Sequence, residues 1–415
     1  MNDSLKKTPL NQWHRNAGAN MADFGGFDMP LWYDTGVKNE HLAVLKSAGL
    51  FDTSHMACIT VEGAGAFDLI NFCFTRDIDS LAPGRCVYGA FLDAKGHCID
   101  DAIVYRFSDT RFMVCVNAGM GGTIAAHLSE QKGDRDAAIA DLTAKLAKID
   151  IQGKNAAKIL SGFLKDPDAT FVPMPYFSFK GDVDPNQPGQ IFLADGTPIL
   201  LSRSGYTGEF GFEIFIAPDK VEALWTGLLE AGKEAGLTAC GLGARDSLRA
   251  GSCLPLSHQD IGHFPFINHP WDFALPYTED KSGFTKDFLG AKALEAAADA
   301  AEFTYAFVGD SLRKVNAGEN TEVLDDAGNA IGRVLTCATD MAVTWSDDKI
   351  VSINTEGLSE DVKVKGLACG FVMVNKALPV GSRVTLKEGK RSISVRTIQD
   401  IRPDRTARKA IKNFI

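Results

Sequence analysis

The same three-part unit occurs twice in this chain, and that repetition constrains the fold more than any other feature. Ala57-Cys58-Ile59-Thr60-Val61-Glu62 alternates apolar and polar residues, meets Gly63, and runs into an apolar-periodic stretch over 65–72. Ala147-Lys148-Ile149-Asp150-Ile151-Gln152, then Gly153, then 155–160 repeat the pattern. Alternation reads as a strand, the glycine as a turn, and apolar residues three and four apart as a helix. A single duplication is too little for a solenoid. It predicts two related α+β lobes packed against each other.

Between the two units the runs 88–92, 99–105 and 112–116 read as a meander, with turns at Lys95-Gly96 and Ser108-Asp109. Strand character returns over 190–216, with Gly205 and Gly208 at a turn. A helix after Pro218-Asp219 then lines up Val221, Leu224, Trp225, Leu228 and Leu229 and stops at Gly232 and Gly236. Gly241-Leu242-Gly243 opens another helix, carrying Arg245 and Arg249. Short Val- and Ile-rich runs such as 330–335 and 382–386 predict a small all-β barrel or sandwich after an alanine-rich helix across 291–304.

Composition matters mainly for what it excludes. A chain of 415 residues suits two or three domains. With 43 Lys and Arg against 53 Asp and Glu, the net charge of −10 offers no nucleic-acid footprint. No apolar stretch approaches the roughly 20 residues that cross a bilayer, and Lys6-Lys7 leads into no apolar core of a secretory signal. Of the 9 cysteines none forms a C-x-x-C pair. Cys58, Cys86, Cys98, Cys115 and Cys369 sit in apolar runs, as core thiols do. A reduced, cytoplasmic protein is expected.

Four clusters could carry chemistry. In Gly96-His97-Cys98-Ile99-Asp100-Asp101 the adjacent aspartates point to opposite faces of a strand, so at most one looks into a cleft. Such a carboxylate handles protons or steadies a cation; otherwise it is a turn aspartate bonding its own backbone. The Arg203–Glu213 segment holds three glycines, Tyr206, Glu209 and Glu213. It suits a flat heterocycle with an amidine-like edge, or else is an ordinary hairpin with solvated acids. Ala118-Gly119-Met120-Gly121-Gly122 lacks the dinucleotide spacing and reads as a tight strand-to-helix turn. His258, His263 and His269 match no tetrahedral pattern, so they are read as loop histidines and no metal is expected.

Taken in order, a series of motifs resembles the T-protein of the glycine cleavage system, the folate-dependent aminomethyltransferase family. They are Thr8-Pro9-Leu10, Phe24-Gly25-Gly26-Phe27-Asp28-Met29-Pro30 with Tyr33, and Gly49-Leu50-Phe51-Asp52-Thr53-Ser54-His55-Met56. Tyr88, Ile99-Asp100-Asp101, Val116-Asn117-Ala118, Gln152-Gly153, Gly205-Tyr206-Thr207-Gly208-Glu209 and Gly241-Leu242-Gly243-Ala244-Arg245-Asp246 follow. The resemblance implies an α+β, three-domain cloverleaf with tetrahydrofolate in a central opening. Its domains would be two intertwined folate-binding lobes, 1–55 with 146–300 and 56–145, then a β-barrel domain at 301–415. It assigns catalysis to Asp101, which would steady positive charge near the folate nitrogens. Folate contacts fall to Met56, Tyr88, Tyr105, Asn117, Tyr206, Glu213 and Arg245. Glu213 would take the guanidine-like edge, and Arg245 an anionic or carbonyl group.

The implied activity is aminomethyl transfer from a lipoylated H-protein to tetrahydrofolate with release of ammonia. The alternatives are a folate-dependent demethylase of a small S-, N- or O-methyl compound, and a non-catalytic folate-binding factor. The third branch carries a Lys-Gly-Cys-Tyr-x-Gly-Gln-Glu motif that this chain lacks. Product identity, methylene- against methyl-folate, separates the first two. The donor stays open because the chain departs from the family pattern in three places. Ser257-His258-Gln259-Asp260-Ile261 follows Leu254-Pro255-Leu256 where the family has Tyr-Gly-Gln-Asp/Glu-Met, and an aromatic stretch over 264–273 comes next. Thr336-Cys337-Ala338-Thr339-Asp340-Met341 and Ile401-Arg402-Pro403-Asp404-Arg405 also differ.

Overall fold

The repeated units fold as their spacing predicts. In the computed structural model, which describes residues 5–297 and 302–415, strand Ala57–Glu62 leads to helix Ala66–Cys73, and strand Ala147–Gln152 to helix Ala156–Ser161. The intervening glycines are obligatory. Gly63 and Gly153 adopt φ of 133° and 126°. A Cβ there would come within 2.3 Å of the Asp136 carbonyl oxygen and 2.4 Å of that of Ser47, an approach only glycine permits.

Each unit belongs to its own sheet. The five-stranded antiparallel sheet runs Arg85–Leu92, Cys98–Ser108, Arg111–Val116, Ala57–Glu62, Ala138–Asp141. Helices Ala66–Cys73 and Gly121–Gln131 bury Leu69, Ile70, Ile124 and Leu128 on one of its faces, against Ile59, Val104 and Val114. The glycine-rich turn before Gly121 is the strand-to-helix turn expected. The second sheet is centred on Gly211–Ile216, Ala147–Gln152 and Ala48–Asp52, with Leu237–Cys240 parallel at one edge. Helix Val221–Gly232 buries Val221, Leu224, Trp225 and Leu228 against it, while Leu229 is only partly covered. The two sheets meet through Cys58, Cys86, Tyr105, Met113 and Cys115 from one and Phe179, Leu200 and Phe215 from the other.

The C-terminal strands close into a six-stranded barrel, since Phe303–Gly309 pairs with both Leu367–Val374 and Arg391–Ile398. Helix Ala291–Ala296 precedes it; the expected boundary at 300/301 lies outside the described residues. Buried charges fasten the barrel to the rest. Arg402 reaches Asp340 at 2.5 Å and Glu209 at 3.2 Å, and His41 reaches Asp340 at 3.1 Å.

Candidate functional site

Strand Cys98–Ser108 carries the aspartate pair, and two breaks in the ladder shape it. Phe91 pairs with Asp100 but Leu92 with Cys98, so Ile99 is a bulge, which re-aims neighbouring side chains. The adjoining strand Arg111–Val116 ends at the Ala102–Val116 pair, leaving Asn117 free to turn its amide toward the aspartates. Its Nδ2 donates to Asp100 Oδ1 at 2.8 Å and to Asp101 Oδ1 at 2.6 Å. The expectation that the two aspartates serve opposite faces is therefore corrected: both carboxylates converge on one amide. Neither is a turn aspartate. Asp100 Oδ2 accepts from the Asn117 N–H at 2.9 Å, and Asp101 Oδ2 from the Tyr88 hydroxyl at 2.8 Å. Burial, then the neighbouring Asp101, pushes the Asp100 carboxyl up to about 7. Burial also raises Asp101, against the hydrogen bonds from Tyr88 and Asn117. Two adjacent buried acids do not both ionise readily, so the pair retains a proton near neutral pH.

The second group grows from strands Ala147–Gln152 and Gly211–Ile216. Glu213 is buried, and Lys148 Nζ donates to its Oε1 at 2.5 Å while Ser204 donates to Oε2. Lys148 also donates to Asp150 at 2.7 Å and to Thr53 at 3.2 Å, and Arg245 pairs with Asp150 at 3.0 Å. Burial works against the Asp150 charge, but Lys148 and Arg245 outweigh it and hold the carboxyl below its ordinary value. The Arg245 guanidinium lies over the Tyr206 ring, 4.8 Å from its centre, and Tyr206 donates to the Pro255 carbonyl. The solvated-hairpin alternative is corrected, because both glutamates are buried. Glu209 turns away to accept from Thr406 at 2.6 Å and to pair with Arg402, so it fastens the C-terminal segment.

Of the residues singled out from sequence, Asp101, Tyr88 and Asn117 come together, as do Glu213, Arg245 and Tyr206. Tyr206 donates to the Pro255 carbonyl and the Asp101 N–H to Ser257 two residues on, so the two groups adjoin. Met56 and Tyr105 lie in the cluster between the sheets, Met56 partly covered and Tyr105 fully buried. The Tyr105 hydroxyl is buried between the sheets, where burial and then the Glu213 charge raise it and a hydrogen bond with Ser202 opposes them. Met56, Tyr88, Asn117, Tyr206 and Arg245 remain partly open.

Sequence reasoning missed Lys148, Asp150 and His258. The signal for the first two was present: charges two residues apart share one face of a strand, and here that strand is buried throughout. His258 was read as a loop histidine, yet its Nε2 lies 3.5 Å from Asp100 Oδ1. His263 meets the ring of His97, and His269 packs between Phe266 and Trp271. Among the described residues no group of three or more His, Cys, Asp or Glu could hold a metal ion. The aromatic stretch is largely core, with Phe266 and Trp271 buried beside Phe371. Within this stretch Phe264 is partly open and Phe273 exposed.

A family model described as the GCVT N-terminal domain matches residues 10–264. An aminomethyltransferase of Streptomyces avermitilis is 35% identical over 371 residues, covering 86% of this chain and 94% of that protein. The chain belongs to the aminomethyltransferase family. Another family member, from Symbiobacterium thermophilum, is 40% identical over 299 residues, 71% of this chain and 75% of its own length. The crystal structure of glycine cleavage system aminomethyltransferase T from Bartonella henselae superposes with a TM-score of 0.74 at 27% identity. That likeness covers 95% of this chain and 97% of that one. The family's three-part α+β architecture, barrel included, is thus present here. Among the described residues no helix is long and apolar enough to cross a membrane.

Proposed function

We propose that this chain moves a one-carbon unit from an aminomethyl thioether on the lipoyl arm of an H-protein to tetrahydrofolate, releasing ammonia. The observation that carries the reading is Asp101 itself, a carboxylate with a donor on each oxygen, beside side chains that stay partly open. Membership of an aminomethyltransferase family supports the reaction class. When bound, tetrahydrofolate supplies the two nitrogens that receive the carbon. Asp101 steadies positive charge developing there, and its low-exposure setting strengthens that effect relative to water. Tyr88 and Asn117 keep the carboxylate aimed.

Glu213, Tyr206, Arg245 and Met56 would hold the acceptor. Lys148 engages one oxygen of Glu213 and Ser204 the other, and each oxygen retains acceptor capacity for an N–H of a ring edge. The same reading divides the chain into lobes at 1–55 with 146–300 and at 56–145, then a barrel domain at 301–415; the two separate sheets support it. All nine cysteines are free thiols, which suits a reducing cytoplasm. The test mixes the protein with tetrahydrofolate and a lipoylated H-protein carrying the aminomethyl group. Ammonia should appear in step with methylene-folate, identified by mass; neither product from an authentic loaded partner removes the reading.

A second reading keeps the folate and makes the donor a small methylated cation. Phe273 is 52% exposed and its ring centre lies 5.8 Å from that of Tyr88. An open aromatic face beside a carboxylate attracts such a cation. Methyl-folate as the product would select it.

A further inference from the structure

The divergent segment Ser257–Ile261 forms a π-helical turn packed against the aspartate pair. Ser257 Oγ accepts from the Asp101 N–H at 3.2 Å. His258 Nε2 lies 3.5 Å from Asp100 Oδ1, with the imidazole side chain 57% exposed and the carboxylate fully buried. The turn is held from both sides. Asp260 accepts from Thr336 at 2.6 Å and pairs with Arg249, while Gln259 donates to the Leu335 carbonyl at 2.7 Å. His258 is thereby fixed with one ring nitrogen toward a buried acid and much of the ring in water.

We propose that His258, oriented by Asp100, carries protons between the carboxylate pair and the outside during the transfer. The inference rests on the aminomethyl-transfer reading. In that reaction the carbon loses its bonds to sulfur and to the amine nitrogen, and each bonding pair leaves with its heteroatom. It gains two bonds to acceptor nitrogens, whose N–H pairs become the new C–N bonds. One displaced proton ends on the sulfur and the other on the departing nitrogen, so no outside acid or base is consumed. The sum is closed, but each proton must travel from an acceptor nitrogen to its heteroatom, and a carrier that ends as it began supplies that route. Both Asp101 oxygens are engaged, and the Asn117 amide spends its two hydrogens on the two aspartates. Tyr88 on the adjoining strand, Cys98 two residues before Asp100, and Tyr206 are all held neutral by burial. An imidazole can accept a proton on one ring nitrogen and give it up again. It takes up one proton and returns it, ending as it began.

The test uses the full chain, tetrahydrofolate and aminomethyl-loaded H-protein in dilute buffer, comparing wild type with His258→Ala and Asp100→Asn. The exposed position of His258 makes the first substitution compatible with folding. His258→Ala should lower kcat by about 10²-fold, leave the folate KM unchanged, and recover in proportion to added imidazole. Asp100→Asn should lower kcat with weaker rescue, because the carboxylate that orients the ring is gone. Wild-type turnover in His258→Ala overturns the proposal, as does a loss that imidazole fails to restore. A wild-type protein that forms no folate product instead fails the underlying reading, and the proposal with it.

Discussion

In the proposed reaction Asp101 is the residue that steadies charge, because its surroundings keep its carboxylate aimed. Asp101→Asn keeps the shape and the Tyr88 and Asn117 neighbours but removes the charge. Turnover should fall by about 10²–10³-fold while folate still binds, as measured by kcat and by a direct binding titration. Near-normal kcat would take Asp101 out of the mechanism. Asp100 offers a separate test through pH. Its folded-state carboxyl sits at about 7, above the unfolded value of roughly 4. The folded protein then holds the extra proton, so stability is greatest below the unfolded value and declines as pH rises toward 7. Asp100→Asn should flatten that decline in melting temperature between about pH 4 and 7, even though it lowers stability overall by weakening the grip on Asn117. An unchanged slope would show that Asp100 does not hold the proton.

At the scale of elements, the amphipathic helix Val221–Gly232 shows how a stripe read from sequence narrows on packing. Leu228 is fully buried and Leu229 only partly so, because a stripe of five residues is wider than the contact one sheet face offers. Leu228→Ala should therefore cost about 3 kcal/mol, and Leu229→Ala about 1 kcal/mol for its smaller buried area. Urea denaturation midpoints at constant m-value would read the difference, and equal costs would count against this packing. The end of the strand at Val116 works at the same scale: Asn117, just beyond it, ties together two acids that sit in consecutive pairs of the ladder.

Across the whole molecule, the three divergent segments of the sequence hold one another. Gln259 and Asp260 bind Thr336, and Asp340 binds Arg402. Arg402 joins the barrel strand, the Glu209 loop and the Thr207 carbonyl in one buried cluster. Removing one member of such a cluster strands the rest as unpaired buried charges. Arg402→Met should cost about 3–5 kcal/mol and should expose the connection between body and barrel to limited proteolysis. Wild-type melting and protease resistance would mean that apolar packing alone holds the barrel in place.

Local spacing and residue type settled a great deal about this protein. The strand–glycine–helix repeats, the meander, the stripe on 221–232 and the barrel strands were legible because periodicity and glycine placement act over a few neighbours. So was the family motif series that singled out Asp101. What lay beyond reach depended on atoms distant in the chain. The convergence of Asp100 and Asp101 follows from where a neighbouring strand happens to end. The Lys148–Glu213 pair joins two strands, His258 joins a divergent turn to a distant sheet, and Glu209 serves the C-terminus rather than a ring edge. Charges and hydrogen bonds of that kind act through space, and only folding sets the distances between them.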